Sequence, residues 1–517
     1  MSSVVEVRSG SYHDSVALMQ VSAAVAAAAG VQAALVAMAT PLNLDLLTEM
    51  GFTAPVDVHP DALVVAVRAA DEEGVRAGLA AADAALAAVG RRGRDGGGSG
   101  SGSNVAPPRT VAAATARTPG ATVALVSVPG PAAFAEAWDA LEAGLSVLLF
   151  SDNVPVAQEV RLKDEAARRG LLVMGPDCGT AVVGGAGLGF ANVVRPGPVG
   201  LVAASGTGAQ QLMCLLDGAG VGVSHCLGVG GRDLSAAVGG RSAFAALRML
   251  DEDPATELIV VVSKPAAPEV ARDLEELAAT LSTPVQWALL GRGRPDLTAA
   301  AESAVTAVGG AWVEPASWPA SRPESGPASQ PAQGADPGEG VGGGRLRGLF
   351  SGGTLCDEAM VIAAGALGPI ASNIPLDPGW LAGPSGRPRG HAMFDFGDDA
   401  MTLGRPHPMI DPTLRLQHLA AEAADPTVGV VLLDVVLGHG AHPDPAAQLA
   451  PAISAARATA SGGGRELAVV VSLCGTAADP QGLSRQGEAL RAAGASVHLS
   501  NAAAARAAVS LVQDGRR

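Results

Sequence analysis

Apolar residues run along this chain in short blocks, each followed by a glycine-rich turn and then by a helical period. Residues 201–204 (LVAA) form one such block. It breaks into Ser205-Gly206-Thr207-Gly208 and resumes as a helix pattern at 210–216 (QQLMCLL). Unbroken runs of small and branched side chains predict parallel strands buried on both faces. The order recurs. Strands are predicted at 4–7, 32–38 and 62–68, alternating with helices at 15–25, 42–50 and 72–89, a small βαβαβα block. Strands at 122–128, 146–150 and 171–174 each end in a turn, and helices follow the first two. Strands at 199–204, 223–229 and 257–263 continue the pattern. A last set at 347–350, 393–396, 429–436, 466–473 and 497–499 precedes an Ala-rich helix. Repeated strand–turn–helix units imply doubly wound α/β domains.

Two stretches interrupt the pattern. Residues 91–104 (RRGRDGGGSGSGSN) are Gly/Ser-rich and residues 315–344 are rich in Pro, Gly, Ser and Ala, so both are expected to be flexible linkers. The expected divisions are an N-terminal α/β block at 1–90, a linker at 91–104, α/β domains at 105–196 and 197–314, a linker at 315–344 and a third domain at 345–517.

The turn at 205–208 carries chemistry. A strand, a glycine turn and a helix start place free backbone N–H groups and the positive dipole end at one spot, a site for phosphate. Such a turn also serves as a plain connection, and both readings stand on the motif alone. Ser351-Gly-Gly-Thr354 opens an α/β unit in the same way, which makes the two domains related.

Composition narrows the classes. Of 517 residues 48% are apolar and only 3% aromatic, and the net charge is −16. With no basic stripe, nucleic acid and anionic membrane surfaces are poor partners. Five scattered cysteines, without a Cys-x-x-Cys pair, argue for a reducing compartment. With no signal-like start and no apolar run long enough to span a bilayer, a cytoplasmic location is expected. Lys163 and Lys264 are the only lysines; Lys163 is expected on an exposed helix face and Lys264 at a strand end.

Longer motifs identify relatives. Met174-Gly-Pro-Asp-Cys-Gly-Thr180, the stretch 197–208, Gly228-Val-Gly-Gly-Arg-Asp233 and 250–257 resemble the alpha subunit of succinyl-CoA synthetase. Residues 394–399 (FDFGDD) and 433–438 (LDVVLG) resemble the ligase domain of its beta subunit. Within that superfamily Ser151-Asp-Asn-Val154, 404–412 (GRPHPMIDP) and 432–435 (LLDV) are similar to the FdrA family. The resemblance implies a Rossmann-like CoA-binding-type domain followed by two flavodoxin-like ligase domains, whose helix starts jointly hold a phosphate. It places those starts after Ser205–Gly208 and after Leu437-Gly438-His439-Gly440. It also implies coenzyme contacts at Ser127, Val128, Pro129, Ser151 and Asn153.

The departures matter. Where the synthetase carries its phosphorylated histidine, this chain has Gly291-Arg-Gly-Arg-Pro-Asp296. Where the synthetase has an orienting glutamate, Lys264 stands. Lys264 and His439 are therefore the candidate catalytic residues. Ser205, Gly206, Thr207, Gly208, Arg232, Gly438 and Gly440 are the candidate anion-binding residues, although a solvated lysine and a polar loop histidine are the plainer readings. Coenzyme A binding is expected to be weak, since the loops after 122–128 and 146–150 lack a basic clamp. His391, Asp395, Asp398, Asp399 and His407 match no closed zinc spacing and fit Mg2+ only loosely, so no metal ligands are assigned. Cys178 is expected to pack rather than react, and Gly10–Asp14 to cap a helix or line a ligand loop.

Three functions remain open. FdrA resemblance implies one subunit of a carbamoyltransferase in purine catabolism, exchanging oxalurate and phosphate with oxamate and carbamoyl phosphate. The superfamily implies an acyl-CoA synthetase. A non-catalytic sensor of acyl phosphate or coenzyme A is the third. All three take a small anionic ligand, and the enzyme readings call for partner subunits or a homo-oligomer.

Overall fold

The computed structural model describes residues 2–8, 15–55, 58–59, 62–95, 108–320, 344–382, 388–402 and 406–514. Two compact units divide the chain, the first built essentially from Met1–Ala114.

The first unit runs β1 (Ser2–Arg8), α1 (Ser15–Ala26), β2 (Val31–Met38), α2 (Pro41–Glu49), β3 (Leu63–Ala69) and α3 (Glu72–Asp95). Its sheet order is β1-β3-β2, with both pairings antiparallel. The βαβ unit is thus split: β1 and β2 are parallel to each other, but β3 lies between them. Alternation along β3 fills two cores. Leu63, Val65 and Val67 pack with Leu18, Val21 and Val25, while Val64 and Ala66 pack with Leu47 and Phe52. Helix α3 continues to Asp95, so residues 91–95 are helical rather than part of a flexible linker. Arginine is a good helix former, and one glycine costs a helix only about 1 kcal/mol. The remainder of that stretch, 96–104, lies outside the described residues, as do Gly10–Asp14 and residues 321–343.

The second unit holds three sheets. After α4 (Val111–Arg117) come β4 (Val123–Val126), α5 (Gly130–Glu142), β5 (Ser146–Leu149), α6 (Val156–Arg168) and β6 (Val173–Met174), a parallel sheet ordered β4-β5-β6. Next come β7 (Thr180–Val183), β8 (Ala186–Gly189), β9 (Pro196–Ala203), α7 (Gly206–Gly218), β10 (Val223–Gly228), α8 (Arg241–Asp251), β11 (Leu258–Ser263), α9 (Pro268–Ala278), β12 (Val285–Leu289) and α10 (Leu297–Ala307). This sheet is ordered β12-β11-β9-β10-β7-β8. Sequence patterning misses the β7–β8 hairpin. Its signal is Gly184-Gly185, both at positive φ (56° and 82°), as a two-residue hairpin turn requires. The hairpin joins the sheet of the following region, with Val182 opposite Cys226 on β10.

The third sheet uses β13 (Ser317–Trp318), β14 (Arg345–Phe350), α11 (Gly353–Leu367), β15 (Ile370–Ala371), β16 (His391–Asp395), α12 (Asp399–Thr402), α13 (Thr413–Ala424), β17 (Val428–Val436), α14 (Pro445–Gly462), β18 (Ala468–Cys474), α15 (Leu483–Ala492), β19 (Ala495–His498) and α16 (Asn501–Asp514). Its order is β13-β19-β18-β17-β14-β16-β15, parallel except for the edge strand β13.

These orders locate the crevices. From β9 the chain adds β10 on one side and later β11 on the other. From β14 it adds β16 on one side and β17 on the other. Both are switch points, where an open α/β sheet binds ligands beyond its carboxyl ends. Each switch-point strand feeds one of the two related glycine turns.

Candidate active site

The two glycine turns meet. Ser205 caps α7 with extended backbone (φ −160°, ψ 114°), and its Oγ accepts from the Gly208 amide at 3.0 Å. The same hydroxyl donates to Thr354 Oγ1, in the first turn of α11, at 2.6 Å. Backbone packing is as close as the glycines allow. A Cβ on Gly352 would stand 2.7 Å from Thr207 Oγ1, and one on Gly208 2.9 Å from Thr354 Cγ2. The first N–H groups of each helix have no acceptor within their own helix. The Gly206 and Thr207 amides of α7 and the Gly353 and Thr354 amides of α11 thus belong to two helix starts in contact. Two positive dipole ends brought together favour negative charge between them.

Carboxylates set this frame. Asp434, buried inside β17, accepts from the Ser351 amide (2.7 Å), the Ser351 hydroxyl (2.9 Å) and the Gly352 amide (2.9 Å). Arg415 Nη1 donates to it at 2.5 Å. Asp434 thus fixes the turn that starts α11 and uses the cap amides that would otherwise face solvent.

Lys264, at the end of β11, reaches the same place. Its Nζ lies 3.5 Å from Asp357 Oδ2. A Cβ on Gly353 would stand 2.6 Å from Asp395 Oδ2 and 3.0 Å from Lys264 Nζ, so the ammonium and Asp395 flank the α11 start. Burial works against the lysine's charge, but Asp357 and Asp395 outweigh it and hold its pKa above the usual value. Burial pushes Asp395 up to about 7, against the pull of Lys264.

A small recess opens beside the α7 start, lined by Asp177, Thr180, Ser205, Gly206, Gly230 and Gly231. Asp177 sits in the left-handed region (φ 53°). Solvent still reaches the side chain, yet protein surrounds it closely. That enclosure pushes its carboxyl up to about 7; Asp399 and Asp152 act in the same direction, while Arg232 and Lys264 oppose them. Arg232 Nη2 donates to the Val154 carbonyl at 2.8 Å and lies 3.0 Å from Glu159 Oε2.

The two expected coenzyme loops pack against each other. Ser151 Oγ donates to the Val128 carbonyl at 2.6 Å, and Asn153 has φ 54°. A Cβ on Gly130 would meet the Asp152 carbonyl at 2.4 Å, so the turns of Ser127–Pro129 and Ser151–Asn153 are in contact.

Other expectations change. Lys163 is not on an exposed face. It is 2% exposed and donates to Glu159 Oε1 (2.8 Å), Asp233 Oδ1 (2.7 Å) and the Val229 carbonyl (3.0 Å). Sequence patterning fails here because a buried lysine becomes legible only with its partners, and Asp233 is distant in the chain. The helix start that meets α7 is that of α11, not one following Gly438-His439-Gly440. That segment is pinned to β8's end, the His439 amide donating to the Ala191 carbonyl at 2.8 Å, and α14 begins only at Pro445. The His439 side chain is exposed, and Gly438 and Gly440 have φ values of 113° and 79°. Among the described residues, His391, Asp395, Asp398, Asp399 and His407 do not gather as a metal-ligating group. His391 Nδ1 instead accepts from the Leu346 amide at 2.9 Å, and burial pushes His407 down to about 4. Cys178 is buried with its thiol pushed up to about 12 by that burial, the state of a packing residue. Sequence reading gives no role to Thr354, Asp177 or Asp434. The one signal for Thr354 is that Ser351-Gly-Gly-Thr354, like Ser205-Gly-Thr207, sets a serine, glycine and threonine after a strand.

Residues 349–511 match the family model described as CoA-ligase, and residues 1–102 that described as AllF, heavy metal-associated domain. The chain is 38% identical over 507 residues, 96% of its length and 95% of the other's, to the uncharacterized protein YahF of Escherichia coli. It is 28% identical over 178 residues to the alpha subunit of the ADP-forming succinate–CoA ligase of Methanothermobacter thermautotrophicus. That match takes in 33% of this chain and 58% of the subunit, under two thirds of the relative's length. Among solved structures, the apo dinucleotide-forming acetyl-coenzyme A synthetase 1 of Ca. Korarchaeum cryptofilum aligns over 79% of this chain and 86% of its own, with 18% identity and a TM-score of 0.27.

Proposed function

This chain belongs to the same family as YahF of Escherichia coli, within the succinyl-CoA synthetase-like superfamily, and on that premise we propose that it transfers a carbamoyl or related acyl group through an acyl phosphate. The observation that carries the reading is the meeting of the α7 and α11 starts through Ser205 and Thr354, with Lys264 alongside. Four unpaired helix amides and one ammonium suit a phosphoryl group bearing about two negative charges.

With a ureido acid such as oxalurate, a phosphate oxygen held between the helix starts attacks the ureido carbonyl. A C–O bond forms, and the C–N bond to the oxamate nitrogen breaks. That nitrogen leaves with a proton. Asp177, whose carboxyl is pushed up to about 7, supplies the proton from the recess beside α7, since a group titrating near neutral pH exchanges protons most effectively. Lys264 and the helix amides hold the anion throughout. His439 has no part in this step. Partner subunits complete the enzyme in this reading, in keeping with the subunit composition named for the ligase relative.

A second reading is acyl-CoA formation, favoured by the alpha-subunit match. One experiment separates them. The purified chain, alone and with the products of neighbouring genes, is incubated with phosphate and a panel of ureido acids. Carbamoyl phosphate formation supports the transfer reading. Acyl-CoA formation coupled to nucleotide hydrolysis, without carbamoyl phosphate, overturns it.

A further inference from the structure

Lys163 lies outside the proposed reaction, yet it is the most completely enclosed cation beside the recess. Its ammonium has three acceptors: Glu159 Oε1, Asp233 Oδ1 and the Val229 carbonyl. Val229 and Asp233 flank Gly230 and Gly231, which line the recess, and Glu159 holds Arg232 in the same turn. Glu159, one helical turn earlier on α6, presents its other oxygen to Arg232 at 3.0 Å. Asp233 also accepts from the Ser242 and Ala243 amides at the start of α8 (3.1 and 2.9 Å). Val229 opens the turn that ends in Arg232 and Asp233.

That turn is pressed against the turn carrying Asp177. A Cβ on Gly228 would stand 2.4 Å from Cys178 Sγ, and one on Gly230 2.5 Å from the Pro176 carbonyl. Gly230 has φ 89°, which favours glycine. With two carboxylates and two cations, Glu159, Asp233, Lys163 and Arg232 form a balanced set. Three of the four are almost wholly buried, and only Arg232, 44% exposed, extends outward.

We propose that Lys163 is a positioning residue: by clamping Glu159 and the Val229–Asp233 turn together, it holds Arg232 beside Asp177, whose Oδ2 lies 3.8 Å from where a Cβ on the adjoining Gly231 would stand. The charged groups acting on Asp177 come from four places: Asp152 after β5, Arg232 after β10, Lys264 after β11 and Asp399 on α12. Of these, only Arg232 is held by the Lys163 set. The claim concerns the orientation of a side chain, so it stands or falls apart from the transfer reaction.

The test uses the full chain with its aspartate carboxyl carbons labelled, titrated by NMR, with Asp177→Asn identifying the Asp177 signal. Arg232→Ala is expected to raise the Asp177 midpoint by about one pH unit. Lys163→Met is expected to raise it similarly, and Lys163→Arg to restore most of the wild-type value. In the Arg232→Ala background Lys163→Met should add little, because its effect passes through Arg232. If Lys163→Met does not fold, Glu159→Gln with Lys163→Met removes one charge of each sign, leaves Asp233 on the α8 amides and should shift Asp177 in the same direction. An unchanged Asp177 midpoint in whichever variant folds, or full additivity of Lys163→Met with Arg232→Ala, overturns the proposal.

Discussion

At the scale of single residues, the chain's two lysines differ in their surroundings. Lys264 is partly exposed and paired at 3.5 Å with one carboxylate, so Lys264→Met should fold. It should lower phosphate-dependent turnover by roughly 10²–10³, the usual cost of losing one well-placed group that stabilises charge. Steady-state kinetics on the folded variant check this, and wild-type turnover would remove Lys264 from the anion site. Lys163 shows the limit of reading residues one at a time. Its amphipathic-looking helix gives no hint that the lysine faces inward, because burial of a charge depends on partners elsewhere in the chain. Lys264 at a strand end and Ser205 at a helix start were legible, since local pattern alone defines both positions.

At the scale of elements, the repeat of strand, glycine turn and helix made most of the second unit readable. The doubly wound order followed from it. What local pattern could not supply was which helix start faces which. The Leu437–Gly440 turn looks as suitable as Ser351–Gly352, and only the position of β14 at the switch point decides between them. Helix junctions carry a second consequence. Glu358 on α11 is buried, accepts from the Leu297 amide at the α10 start and from Asn501 at the α16 start (both 2.7 Å), and is pushed up to about 7 by that burial. Its folded value lies above its unfolded value of about 4.3. The folded state therefore binds more protons between those values, and this group's contribution falls as pH rises through that window. Glu358→Gln should raise the melting temperature more at pH 8 than at pH 5, with Asn501 turning its amide to match. An equal effect at both pH values would contradict the assignment.

At the scale of the whole molecule, no helix among the described residues is long and apolar enough to cross a membrane. All five cysteines are free and buried. The second unit is organised about one junction, where two switch-point crevices share their helix starts. Asp434 sets one turn and Ser205 bridges to the other. Lys264 and the near-neutral carboxyls of Asp395 and Asp177 surround the junction. An anion is proposed to occupy that junction, and substitution of Gly352 tests this. The glycine has an ordinary φ of −119°, so alanine adds no backbone strain there, only a methyl group 2.7 Å from Thr207 Oγ1. Inorganic phosphate is titrated calorimetrically into the wild-type chain and into Gly352→Ala. The wild type should bind one phosphate per chain saturably, and the variant at least about tenfold more weakly, a loss of about 1.4 kcal/mol. Equal affinity in the two proteins, or no binding to the wild type, would contradict it.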